Sequence, residues 1–169
     1  STTLRKVYNA HALAIVPGGG TYGMEAVARQ FATKRNCLVI RNGWFSYRWS
    51  QIFEAGDIPA SSTVLKARQI GSGPTAPFSP APIDEVISTI ESEKPDVCFA
   101  PHVETSSGII LPEDYIGSAS DAVHANGGLF VLDCIASGAM WIDMEKCGVD
   151  VLVSAPQKGW SASPCSGLV

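Results

Sequence analysis

Long hydrophobic runs are missing from this chain of 169 residues. No segment is therefore expected to span a membrane. The first residues lack a charged n-region followed by an apolar h-region, so no secretory leader is expected. Five cysteines, Cys37, Cys98, Cys134, Cys147 and Cys165, include no C-x-x-C pair. That spacing argues against zinc, and no metal site is expected. An odd, dispersed set within apolar segments suits reduced core thiols in a cytoplasmic protein. Positive charge is scarce too. With 12 Lys and Arg against 16 Asp and Glu, the net charge is −4. No broad basic surface for nucleic acid follows from that balance. No internal repeat is visible.

What is present is ordinary for a globular α/β chain. Hydrophobic residues make up 46%, and the length suffices for one domain with a sizeable core. The first ten residues are polar and decide little. His11–Val16 is a short apolar run that stops at Pro17-Gly18-Gly19-Gly20-Thr21. Met24, Val27, Ala28 and Phe31 then recur at helical spacing. This is strand, glycine turn, helix, and a helix start offers free N–H donors to a phosphate. Cys37–Ile40 predicts a strand, and a helix is expected to begin near Trp44 or Phe45. Thr63–Ile70 reads as a strand and 71–82 as a surface loop. A helix is expected over Ile83–Glu93, with Asp84 and Glu85 suiting its first turn. Val97–Ala100 is a buried strand, Pro112–Asn126 a helix, and Asn126-Gly127 suits a left-handed cap. Steady alternation of strand and helix predicts α/β architecture with a mostly parallel, doubly wound sheet.

Two apolar runs, Leu129–Leu132 and Val151–Val153, have the length and branching of buried strands. The first ends in Asp133, the second in Ser154, closely followed by Gln157 and Lys158. Parallel sheets collect ligands beyond the carboxyl ends of their strands, so an acid and a lysine are delivered to one rim. A lysine amine can condense with an aldehyde cofactor, and a carboxylate can keep that cofactor's ring nitrogen protonated. The plainer alternative is a turn-capping Asp and a solvated Lys.

Asp133-Cys134-Ile135-Ala136-Ser137 and Ser154-Ala155-Pro156-Gln157-Lys158 resemble motifs of the class V aminotransferases of fold type I. The likeness is to the alanine–glyoxylate and serine–pyruvate aminotransferase group, and it runs from about Leu13 onward. His102-Val103-Glu104-Thr105-Ser106-Ser107-Gly108 is similar to a third family motif. Cysteine desulfurases share the fold but typically have His before the lysine, where this chain has Gln157.

The resemblance implies a large domain of the pyridoxal-phosphate-dependent transferase type, with pyridoxal 5'-phosphate as cofactor. It implies Lys158 and Asp133 as catalytic residues. It assigns the phosphate to Gly19, Gly20 and Thr21, where many relatives have His in place of Thr21. Phe45 is expected over one ring face, with Trp44 the alternative, and Ile135 on the other. Thr105 is expected at the phenolic oxygen, and Gln157 beside the cofactor. Arg48 matches a family arginine expected to be structural. Glu104 and His102 are expected to support the loop rather than move protons. The implied substrates are a small amino acid and a 2-oxo acid such as glyoxylate or pyruvate, in a homodimer without nucleic acid or membrane. Residues 1–169 are expected to form an incomplete large domain. The small C-terminal domain, carrying the arginine for the substrate carboxylate, would lie outside them.

Two other readings stand beside this one. A lyase or cysteine desulfurase on the same fold is one, with Cys165 near the lysine. A non-catalytic NADP-binding domain is the other. For it, Gly18, Gly20 and Gly23 form G-x-G-x-x-G, and Arg41 closes the next strand where an acid would mark NAD.

Overall fold

The computed structural model describes residues 2–169. In chain order the elements are α1 (Thr2–Tyr8), β1 (Ile15–Pro17), α2 (Gly20–Val27), β2 (Asn36–Arg41), α3 (Tyr47–Gly56) and β3 (Ser61–Lys66). There follow β4 (Arg68–Gln69), β5 (Phe78–Ser79), α4 (Ile83–Glu93), β6 (Val97–Pro101), β7 (Val103–Glu104) and β8 (Ile109–Ile110). The last are α5 (Glu113–Ala125), β9 (Leu129–Asp133), β10 (Val151–Val153) and β11 (Ser166–Leu168). A π-type turn over Ala28–Ala32 extends α2.

A parallel sheet of order β10-β9-β6-β2-β3 is the centre. Its strands alternate sides residue by residue. Leu38 and Ile40 face one apolar cluster with Val86 and Ile90 of α4 and Ile116, Ala119 and Val123 of α5. Cys37 and Val39 face another with Met24 and Val27 of α2 and Trp49 and Phe53 of α3. Both faces are thus covered by helices, which is why the strands read as continuous apolar runs. This is the doubly wound α/β architecture expected.

The sheet extends further. β11 pairs antiparallel with β1. Ser154 and Leu168 exchange both backbone N–H···O bonds at 2.8 Å. β1 and β11 therefore continue the sheet past β10, next to the end of the strand that precedes Lys158.

Two boundaries differ from the sequence expectation. The strand predicted over Thr63–Ile70 is broken. After Lys66 the chain leaves the sheet, and β4 forms a hairpin with β5 inside the segment expected to be loop. The helix expected at Trp44 or Phe45 starts at Tyr47: residues 44–46 form a tighter turn, in which Arg48 N–H bonds the Phe45 carbonyl and Trp49 N–H the Ser46 carbonyl, each three residues back. α4 has the bounds predicted, and Gly127 carries the left-handed conformation after α5 with φ +76°. Among the described residues, no helix is long and apolar enough to cross a membrane.

Candidate active site

The glycine turn supplies one wall. Gly18, at φ +122°, turns the chain out of β1. The Gly19 carbonyl accepts from the N–H groups of Tyr22 and Gly23, opening α2. Gly20 is buried. A Cβ there would stand 2.8 Å from Ile135 Cδ1 and 3.2 Å from the Ala155 Cβ. Gly23 presses α2 on β11, where a Cβ would meet the Gly167 Cα at 3.3 Å. The helix start thus lies against the residues that follow β9 and β10. A Cβ on Gly19 would meet nothing within 4 Å, so that position opens to free space. Thr21 is exposed, and its hydroxyl accepts from Arg48 Nη1 at 3.4 Å.

Asp133 ends β9. It is 8% exposed, and its Oδ1 accepts the Ile135 N–H at 2.9 Å. Burial pushes its carboxyl up to about 6; the Ile135 N–H opposes this and the charge of Glu104 adds to it. Among the described residues no cation pairs with it. Beyond it, Ser137 bonds His102 Nδ1 at 2.8 Å, with both side chains buried. Burial holds the His102 ring below its usual range, so it stays neutral and serves to pin the turn after Asp133.

Lys158 lies in the turn after β10, exposed and outside any ion pair among the described residues. The turn is closed by Ala162 N–H to the Pro156 carbonyl at 2.9 Å and by Ser161 N–H to the Lys158 carbonyl at 3.1 Å. Behind it, the Tyr8 hydroxyl bonds Ser154 Oγ at 3.1 Å, and the Tyr8, Trp141 and Trp160 rings pack edge on or tilted.

Phe45 and Trp44 project from the turn before α3, 47% and 61% exposed. Thr105 is exposed between β7 and β8. No hydrogen bond among the described residues ties Thr105 or Gln157 to Asp133. Among the described residues, Gln157 Oε1 is buried without a partner, as are Ser107 Oγ and both side-chain polar atoms of Asn42. Such atoms are rare in a folded protein and suit a bound polar group. Asn42 and Ser107 had no place in the site read from sequence; Ser107 sits in a motif already singled out, the segment 102–108. Arg41 lies over the Tyr47 ring at 4.8 Å, with Nη1 3.4 Å from Ser50 Oγ. A groove of about 590 Å³ is lined by residues of α1, β10 and β11, among them Tyr8, Leu152 and Leu168. It contains none of the residues predicted for the site.

No family model matches the chain. It is 27% identical to 2-aminoethylphosphonate–pyruvate transaminase 2 of Paraburkholderia xenovorans, over 98% of this chain and 43% of that protein. It is also 27% identical to L-aspartate–glyoxylate aminotransferase of Paracoccus denitrificans, over 92% of this chain and 38% of that protein. The solved alanine–glyoxylate aminotransferase of a Nostoc species superposes with a TM-score of 0.80 at 26% identity, covering 99% of this chain and 42% of that one. The chain spans about two fifths of the length of each. By sequence and by fold, it is similar to the class V aminotransferases of fold type I.

Proposed function

We propose that this chain binds pyridoxal 5'-phosphate and forms part of an aminotransferase moving an amino group from a small amino acid to a 2-oxo acid such as glyoxylate or pyruvate. One observation carries the reading. Asp133, buried at the end of β9 without a cationic partner among the described residues, shares a rim with the lysine turn of β10 and the glycine turn of α2. A protonated ring nitrogen is the partner such a carboxylate lacks. The open space at Gly19 and the unpartnered Gln157 Oε1 and Ser107 Oγ also fit the cofactor.

Bound here, the cofactor would supply an electron sink that weakens the bonds at the amino acid Cα. Lys158 would anchor it through its amine. Freed, the same amine would move the proton from the amino acid Cα. Asp133 would keep the ring nitrogen protonated. Gly19, Gly20 and Thr21 would hold the phosphate with backbone N–H groups and a hydroxyl. Phe45 and Ile135 would flank the ring, Thr105 would donate to its phenolic oxygen, and Gln157 would lie beside it.

Residues 1–169 would be the cofactor-binding large domain of a cytoplasmic homodimer. The substrate-carboxylate arginine would come from a small domain outside this sequence. The exposed apolar side chains Tyr22, Trp44 and Ile110 are surface a second copy would cover.

The test combines a spectrum with an assay. Pyridoxal phosphate should give visible absorbance with the protein, and amino-group transfer to glyoxylate or pyruvate should exceed sulfide release from cysteine. Sulfide release in excess would favour the lyase alternative, and no visible absorbance would sink both.

A further inference from the structure

Glu104 is fully buried at the end of β7. A buried carboxylate is costly unless charge or hydrogen bonds compensate it. Among the described residues it has no cationic partner. Hydrogen bonds compensate it instead. Oε1 accepts Phe45 N–H at 3.2 Å, Ser106 N–H at 3.2 Å and the Ser106 hydroxyl at 2.6 Å. Oε2 accepts Ser46 N–H at 2.8 Å and the Ser46 hydroxyl at 2.7 Å. Burial raises the carboxyl, but the bonds from Ser106 and Ser46 outweigh it and hold the group below its usual range.

The two hydroxyls pass the effect on. With their protons given to Glu104, their oxygens accept from the backbone. Ser46 Oγ takes Asn42 N–H at 2.9 Å and Gly43 N–H at 3.0 Å, and Ser106 Oγ takes Trp44 N–H at 2.8 Å. Consecutive N–H groups from Asn42 to Ser46 therefore end on Glu104, directly or through one hydroxyl. Gly43 closes the packing: a Cβ there would lie 2.7 Å from Glu104 Cγ. What this rigid turn displays is a pair of exposed aromatic rings, Trp44 and Phe45. Ordering a turn to hold apolar rings in water favours nothing in the free chain; it favours what the rings meet, a second copy for Trp44 and a ligand for Phe45.

We propose that Glu104 is a positioning residue: its carboxylate holds residues 42–46 as one platform and so sets where the Phe45 ring stands over the site. The inference rests on Phe45 flanking the bound cofactor ring.

A double-variant cycle in the full-length protein tests it, using Glu104→Gln, Phe45→Ala and the pair. Glutamine keeps the size but turns an NH2 toward N–H donors. Three quantities are read: amide exchange of residues 42–46 without cofactor, pyridoxal phosphate affinity, and visible circular dichroism of the bound cofactor. Glu104→Gln should speed exchange of those amides at least about tenfold. It should weaken affinity and dichroism about as much as Phe45→Ala, and the pair should be no worse than the weaker single variant. Should Glu104→Gln not fold, Ser106→Ala takes its place, since it removes only the acceptor for Trp44 and one donor to Glu104. Unchanged exchange, or additive losses in the pair, would overturn the proposal. A Phe45→Ala protein with unchanged affinity and dichroism would instead overturn the placement of the ring, and the proposal with it.

Discussion

Gly159 packs so closely on Gly138 that a Cβ on Gly159 would overlap the Gly138 carbonyl oxygen and carbon. One glycine follows Lys158 and the other closes the turn after Asp133. The lysine turn and the acid's turn thus rest backbone on backbone, with no side chain between them. Gly159→Ala forces the two apart. Backbone yields less easily than a flexible side-chain tip, so a cost of about 1–3 kcal/mol is expected. The melting temperature should fall and cofactor affinity should drop with it. Unchanged values for both would show that the two turns separate freely.

Lys158→Ala should abolish covalent capture of pyridoxal phosphate. Borohydride reduction of the wild-type protein followed by peptide mapping should place the label on Lys158. A label on any other lysine would remove Lys158 from its role.

Asp133→Asn should trade activity for stability. The buried carboxyl titrates near 6 against an ordinary value of 3.8. A raised acid favours the folded state while protonated. That advantage is complete below about pH 4 and lost as pH rises through 6. At pH 7 the unloaded wild type therefore holds a buried charge costing about 2–3 kcal/mol. The neutral amide avoids that cost, so the unloaded variant should be the more stable one above pH 6, with the difference vanishing toward pH 4. Amino-group transfer should meanwhile fall on the order of 10³-fold, because an amide does not hold a proton on the ring nitrogen. Melting curves from pH 4 to 8 and single-turnover transfer check the two halves separately.

Gly19 and Gly20 should part company. Gly20→Val drives a branched side chain into Ile135 and Ala155 and should destabilise the unloaded protein as well as weaken binding. Gly19 is at φ −120°, a conformation any residue adopts, and a Cβ there meets nothing. Gly19→Val should leave the melting temperature nearly unchanged yet weaken pyridoxal phosphate binding. Equal affinity in Gly19→Val and wild type would move the phosphate away from this turn.

Much of the frame was legible in the amino-acid order alone. The α4 boundaries, the buried strands β6, β9 and β10, and the delivery of Asp133 and Lys158 to one rim follow from apolar period and strand-end polarity. These are local signals, carried by residues a few positions apart. The start of α3 was misplaced because residues 44–46, just before it, close a tighter turn that is tied to Glu104 and Ser106, about sixty positions later. The joining of β1 and β11 to the sheet, the near contact of Gly159 with Gly138 and the charge state of Asp133 were likewise invisible. Each depends on which backbone approaches which, and on how far water is excluded there. Only the packed sheet, with helices closed over both faces, decides those distances and that burial.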